Sequence, residues 1–161
     1  MKTKKYDITA IGECLIDFTS RDSKTGTLLY EGNAGGAPAN VLACASKMGD
    51  HTAIFSKVGQ DRFGDFLEET LSSIGIDTSG MIKSEEYPTT LAFVSLDQTG
   101  NRSFRFYRKE TADIHLTFNE VNMEKLTDTK IVHFGSVSMT MEPSRSTTFS
   151  AVQKAKTAGA K

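Results

Sequence analysis

Tryptophan is absent from this chain, and cysteine and proline are scarce: two Cys and three Pro in 161 residues. Cys14 and Cys44, both set in apolar stretches, do not make a disulfide framework, so the expected compartment is a reducing cytoplasm. There is no internal repeat and no low-complexity segment, and ten Phe with many Ile, Leu and Val supply core material, which excludes a disordered chain. No apolar run nears the ~20 residues of a membrane span. Charge of one sign is missing as well. Nineteen Lys and Arg against twenty Asp and Glu leave a net charge of −1, without the basic excess of a nucleic-acid or membrane-surface protein. His51, His115 and His133 are scattered, with no metal-ligand spacing to one another or to the cysteines, and no metal site is expected.

What is present fits one domain of ordinary size. Met1-Lys2-Thr3-Lys4-Lys5 is basic, but the apolar stretch behind it, Tyr6 to Ile11, is short and contains Asp7. It reads as a first strand and not as a signal peptide. Residues 15–19 continue extended, 21–26 make a polar turn, and 27–31 form another strand. Residues 32–36 read as a glycine-rich loop ahead of a helix from Ala37 to Met48, with Pro38 in its first turn and Gly49 behind its end. Val41, Cys44, Ala45 and Met48 share one face at helical spacing. Residues 52–58 make a strand, Asp61 caps a second helix running to Ile74, and Gly75 ends it. Its apolar stripe is Phe63, Phe66, Leu67, Leu71 and Ile74. Residues 89–96 and 103–107 are strands joined by a hairpin connection at 97–101. A short helix over 119–126, a buried strand at 131–135 and an amphipathic helix over 142–158 complete the chain.

Strands alternating with helices imply a parallel α/β core. Segments 15–31 and 89–107 break that alternation and read as a small separate antiparallel sheet, the arrangement of a cleft with a lid. Only three core strands are visible (6–11, 52–58 and 131–135), against the ~5–6 of a typical sheet. The chain therefore reads as part of a larger fold.

The most informative stretch is Gly32-Asn33-Ala34-Gly35-Gly36-Ala37-Pro38-Ala39-Asn40. Adjacent glycines before a helix start let backbone approach a ligand closely, and the first helical N–H groups are free to donate. Asn40 adds an amide that both donates and accepts. A polyhydroxylated ligand suits this set. The Gly-Lys-Ser/Thr of a phosphate loop and the spacing of a dinucleotide fingerprint are both missing. On these residues alone, a plain turn into the helix is an equal reading. Asp17, on the apolar strand Leu15-Ile16-Asp17-Phe18, serves either as a solvent-facing or capping carboxylate or as an acceptor for two sugar hydroxyls. A hydrogen bond to a charged group contributes about 1.5–3 kcal/mol.

Gly35-Gly36-Ala37-Pro38-Ala39-Asn40, followed by Gly49 and Gly59, resembles the N-terminal signature of the ribokinase-type (PfkB) carbohydrate kinases. Ile11-Gly12-Glu13 with Asp17, Val58-Gly59-Gln60-Asp61 through Phe63-Gly64, Gly75-Ile76-Asp77 and Pro88-Thr89-Thr90 support the resemblance, which runs from about residue 6 to the end. The Gly-Gly-Ala-Pro-Ala-Asn form and Thr99-Gly100-Asn101-Arg102-Ser103-Phe104 look most like bacterial fructokinases. Leu42 stands where the signature expects a small residue.

The resemblance implies a ribokinase-like α/β fold under a β-sheet lid, and transfer from ATP, accompanied by Mg²⁺, to a sugar hydroxyl. Fructose is the expected acceptor. A 2-keto-3-deoxygluconate or nucleoside kinase, or a non-catalytic sugar-binding or dimerisation fragment, stands as the alternative. By position, Asp17, Gly35, Gly36 and Asn40 match the family's sugar-binding residues. Phe104 and Phe106 would cover the sugar's apolar face from the lid, although cross-strand packing explains Phe104 equally well. Arg108, a lid-edge charge by default, and Arg145, at a helix start, are further candidates for the substrate. In this family the lid often forms a homodimer contact. The catalytic aspartate of the family belongs to a Gly-Ala-Gly-Asp motif that this sequence lacks, as it lacks the ATP contacts. No catalytic residue is therefore expected within the 161 residues, and the chain alone is expected to be inactive.

Overall fold

The computed structural model describes residues 4–21, 23–96 and 102–161. Strands β1 (Tyr6–Ile11), β4 (Thr52–Gly59), β5 (Ile76–Ser84) and β8 (Thr129–Phe134) form a parallel sheet in the order β5-β4-β1-β8. Strands β2 (Leu15–Arg21), β3 (Leu29–Gly35), β6 (Leu91–Leu96) and β7 (Arg102–Tyr107) form a second sheet in the order β3-β2-β6-β7. Helices α1 (Ala37–Lys47), α2 (Arg62–Ser73), α3 (Met123–Thr127) and α4 (Ser144–Thr157) pack on the first sheet. The hairpin connection expected at 97–101 lies outside the described residues.

Both faces of the parallel sheet are covered, and β4 shows why. Its side chains alternate between two cores, Ile54 and Val58 into one, Ala53 and Phe55 into the other. Leu42 of α1 and Leu67 and Leu71 of α2 close the first core. Leu126 of α3 with Ala151 and Ala155 of α4 close the second. A strand buried on both sides reads as a continuous apolar run, as is usual for parallel sheets. The Asp61 carboxylate caps α2, accepting from the N–H groups of Phe63 at 3.0 Å and Gly64 at 2.9 Å, which stops the helix's first donors from being orphaned.

Five expectations change. The second sheet is mixed and not antiparallel: after β3 the chain crosses through the core and returns as β6 parallel to β2, as a long crossover allows. The parallel sheet has a fourth strand, β5, which the sequence reading passed over because only Ile76 and Ser84 of its nine residues are buried. Residues 32–35 are not a loop: β3 runs through Gly35, each residue paired with β2 from Leu29↔Arg21 to Gly35↔Leu15. The lid segment therefore extends from the expected 31 to 35. The buried face of α1 is Pro38, Ala39, Leu42 and Ala45, while Val41, Cys44 and Met48 are exposed. Leu42, the departure from the signature, is fully buried in the core. Finally, the region expected as one helix over 119–126 is a single 3-10 turn, Phe118–Glu120, followed by α3.

At the free edge of β8, Val132 N–H donates to the Lys161 carbonyl at 2.9 Å, and Lys161 N–H donates to that of Lys130 at 3.0 Å. Ile131 and Phe134 of β8 are 44% and 42% exposed.

Two measurements test this layout. Truncating Leu67, which is completely buried, should cost about 2–5 kcal/mol in urea denaturation, whereas truncating the exposed Phe149 should cost within ~0.5 kcal/mol. The second concerns Asp77. Partial burial opposes its ionisation, but hydrogen bonds from Ser79 and Tyr6 and the Lys5 charge outweigh that and hold its pKa at about 2. A carboxylate whose folded pKa lies below its unfolded one stabilises the fold above the unfolded value and loses that contribution as pH falls through the folded one. Acidification from ~4 to ~2 should therefore destabilise the wild type more than Asp77→Asn, read by thermal melts.

Candidate functional site

The strand pairing of the second sheet fixes which side chains share a face. Asn33, Asp17, Ala92 and Phe106 lie in one cross-strand row, and Glu31, Thr19, Val94 and Phe104 in the next. With strands ~4.8 Å apart, two strand spacings separate Asp17 from Phe106, roughly 10 Å. Phe104 and Phe106 stack with ring centroids 6.3 Å apart and stay about half exposed. The result is an open aromatic shelf beside a carboxylate. The opposite face carries a separate aromatic run, Phe18, Phe93, Tyr30 and Tyr107. A cleft on that side, lined by Ile16, Phe18, Gly32, Arg62, Phe63 and Phe66, holds none of the expected site residues.

The passage from β3 to α1 brings backbone to the same place. Gly36 has φ 107°, and a Cβ there would fall 2.5 Å from the Glu13 carbonyl oxygen. Only glycine fits both demands. A Cβ on Gly35 would overlap the Asp17 carboxylate. No side chain caps α1, so its first N–H groups remain as donors. Asn40 sits exposed in the first turn, its backbone N–H donating to the Gly36 carbonyl at 3.0 Å. Asp17 is half-buried and, among the described residues, forms no hydrogen bond or ion pair. Burial alone pushes its pKa up. The structure thus brings Asp17, Gly35, Gly36 and Asn40 to one junction, with Phe104 and Phe106 on the same face of the lid.

The two arginines fare differently. Arg108 directly follows β7 but is buried, donating from Nε to Asp113 Oδ2 at 2.6 Å and from Nη1 to Thr140 Oγ1 at 2.9 Å. Arg145 is exposed on the first turn of α4, 3.7 Å from Glu142 Oε1. It lines a shallow cleft with Met139, Ser146, Phe149 and Ser150 that contains no other expected site residue.

Sequence reasoning missed Asn33, which sits opposite Asp17 and faces the same way. Its signal was period-two alternation, legible only if 29–35 is read as a strand. Glu13 is a second omission. It is buried against Gly135 and Pro38, and its carboxylate accepts from Ser138 Oγ at 2.7 Å.

Chemically, Asp17 can accept hydrogen bonds from two hydroxyls, Asn40 and Asn33 can donate and accept, and the phenylalanines can lie against an apolar ring face. Among the described residues no three His, Cys, Asp or Glu side chains cluster to hold a metal ion. Because burial raises the folded pKa of Asp17, its ionised form destabilises the fold above that pKa, and the penalty vanishes below the unfolded one. Asp17→Asn should therefore raise the melting temperature near pH 7 and lose that advantage below pH ~4.

Comparison with known proteins places the fold in a family. The model of the pfkB family carbohydrate kinases matches residues 5–161. Fructokinase-2 of Oryza sativa subsp. japonica is 40% identical over 157 residues, covering 94% of this chain and 46% of the relative. A crystal structure of fructokinase from Xylella fastidiosa superposes with a TM-score of 0.89 at 35% identity, over 96% of this chain and 48% of that one. A putative ribokinase II from E. coli in complex with ATP and Mg²⁺ gives a TM-score of 0.86 at 26% identity, over 96% of this chain and 51% of that one. The chain thus spans about half the length of the relatives it matches. A family model that matches nearly the whole chain settles the kinship: this chain belongs to the pfkB family of carbohydrate kinases.

Proposed function

We propose that this chain is the acceptor-binding half of an ATP-dependent fructokinase. The single observation that carries the reading is Asp17, a half-buried carboxylate without a partner among the described residues, packed against Gly35 and sharing a face with Phe104 and Phe106. An Asp in such surroundings pays for its desolvation and gets nothing back from the fold, which is the expected condition of a group kept for a ligand. Fructose hydroxyls would supply the missing donors, with Asn40, Asn33 and the Gly35–Gly36 backbone ordering the ring.

In the reaction a sugar hydroxyl oxygen bonds to the γ-phosphorus of ATP as the bond from that phosphorus to the β–γ bridging oxygen breaks, and ADP leaves. The hydroxyl proton passes to a base. The resemblance assigns that base to a Gly-Ala-Gly-Asp motif, which this sequence does not contain. Mg²⁺ would neutralise phosphate charge. Among the described residues no carboxylate cluster fits it, and this chain's share is binding, orientation and exclusion of water beneath the lid. A keto-acid sugar would call for a free cation facing the site, whereas Arg108 is already bonded to Asp113 and Thr140. The free Cys14 and Cys44 accord with a reducing cytoplasm. We extend the reading to assembly through the lid. Both faces of its sheet are aromatic, and a second copy would cover the one that the sugar does not.

ADP release with ATP, Mg²⁺ and fructose tests this, comparing the 161-residue chain with the same chain completed by the C-terminal half of a fructokinase. The short chain should be silent and the completed one active, with Asp17→Asn lowering kcat/KM by about ten- to a hundredfold. Activity of the short chain would overturn the division of labour. Turnover of another sugar in preference to fructose would overturn the acceptor, and sugar binding without turnover in the completed form would favour a non-catalytic binding role.

A further inference from the structure

The hairpin of β6 and β7 carries Phe104 and Phe106, and its angle to the core decides where that shelf lies. Leu91 pairs with Tyr107, so Thr90 enters the hairpin beside Arg108, which leaves it. Both stems close on one carboxylate. Asp113 Oδ1 accepts from Thr90 Oγ1 at 2.5 Å and from Thr111 Oγ1 at 2.9 Å, and Oδ2 accepts from Arg108 Nε at 2.6 Å. The Asp113 side chain is 2% exposed and that of Arg108 8%.

The same guanidinium reaches the core. Arg108 Nη1 donates to Thr140 Oγ1 at 2.9 Å, and Thr140 ends the turn that holds Ser138. Ser138 Oγ accepts from the Glu13 N–H at 3.0 Å and donates to the Glu13 carboxylate at 2.7 Å. Glu13 lies two residues beyond β1. Polar contacts through Asp113 and Arg108, carried on by the 137–140 turn, therefore join the hairpin stems to the segments that follow β8 and β1. Arg108 Nη2 is buried with no partner among the described residues, and the guanidinium is held by its other two nitrogens. A buried ion pair of this kind adds little net stability over an apolar replacement, but losing one partner leaves the others stranded. Its value lies in fixing geometry.

We propose that Asp113 is a positioning residue that pins the β6–β7 hairpin, with Arg108 and Thr140 as its link to the core. This deepens the acceptor-site reading and rests on it for its meaning in catalysis. It also gives Arg108 a part played through Asp113 instead of through contact with the sugar.

Hydrogen–deuterium exchange on this chain tests the pin without any ligand. In Asp113→Asn, amides of β6 and β7 should exchange at least about tenfold faster, while those of β1 and β4 keep their protection, as local opening requires. Thr140→Val should loosen the same strands to a smaller extent. Should Asp113→Asn fail to fold, Thr90→Val and Thr140→Val carry the same comparison. Uniform loss of protection across both sheets, or unchanged protection of β6 and β7 in every variant, would overturn the proposal. A fructose titration followed by NMR supplies the second arm: Asp113→Asn should weaken binding several-fold, and Asp17→Asn should weaken it by about ten- to a hundredfold. Wild-type chain that ignores fructose would count against the acceptor reading alone, because the exchange comparison decides the pin independently.

Discussion

The close approach of Gly36 to the Glu13 carbonyl is the constraint on which the rest of the site depends. The chain leaves the lid sheet at Gly35 and enters the core as α1 at Ala37, and the one residue between them, Gly36, has a backbone conformation open to glycine. A Cβ at Gly36 would meet the carbonyl oxygen at 2.5 Å and would push the start of α1 away from the end of β1. Asp17 on the neighbouring strand then loses the backbone it packs against. Lid, acceptor groups and helix start are therefore set by one contact between two stretches of main chain, which is why two glycines stand together there.

Four aspartates show what the fold does with its carboxylates. Asp61 takes hydrogen bonds from Phe63, Gly64 and Thr89, and these outweigh burial and hold its pKa low. Asp77 is satisfied by Ser79, Tyr6 and Lys5. Asp113 is saturated by two threonines and an arginine. Asp17 alone of the four is half-buried without donors among the described residues, and its pKa moves the other way. The same side chain in the same protein is solved three times as structure and left unsolved once. That contrast supports the proposed binding role of Asp17 more directly than its position in a motif does.

The elements most legible in the sequence were those governed by local chemistry. Asp61 at the start of α2 and Gly75 behind its end are short-range signals, and the structure places both where the spacing did. Elements governed by tertiary pairing were harder to read. In β5, Asp77, Thr78, Ser79 and Gly80 mask an edge strand that is held by β4 and not by its own pattern. Gly32 and Gly35 argue locally for a loop, yet β2 pairs with every residue from 29 to 35. Reading that stretch as a loop hid Asn33. The α1 face was misjudged because Val41 and Met48 are apolar but exposed, while the buried positions include the small Pro38 and Ala39. Periodicity weighs hydrophobicity, whereas the tight contact of α1 with β1 selects for size.

The signature residues themselves divide by task. Gly35, Gly36 and Asn40 face the junction where a ligand would lie. Gly59, Asp61, Thr89 and Thr90 do not. Thr89 Oγ1 accepts from the Gly59 N–H at 2.9 Å and donates to Asp61 at 2.8 Å, and Thr89 N–H donates to the same carboxylate at 2.9 Å. Thr90 continues into the Asp113 cluster. These residues tie the root of β6 to the end of β4 and the cap of α2, so that half of the motif builds the mount of the lid and the other half the groove beneath it. A mount of this kind matters only if the lid's position carries information. The exposed Phe104 and Phe106 are the reason that it does: their shelf faces Asp17 only while the hairpin keeps its angle. On the proposed reading, the acceptor groups are thus held by contacts within this chain alone.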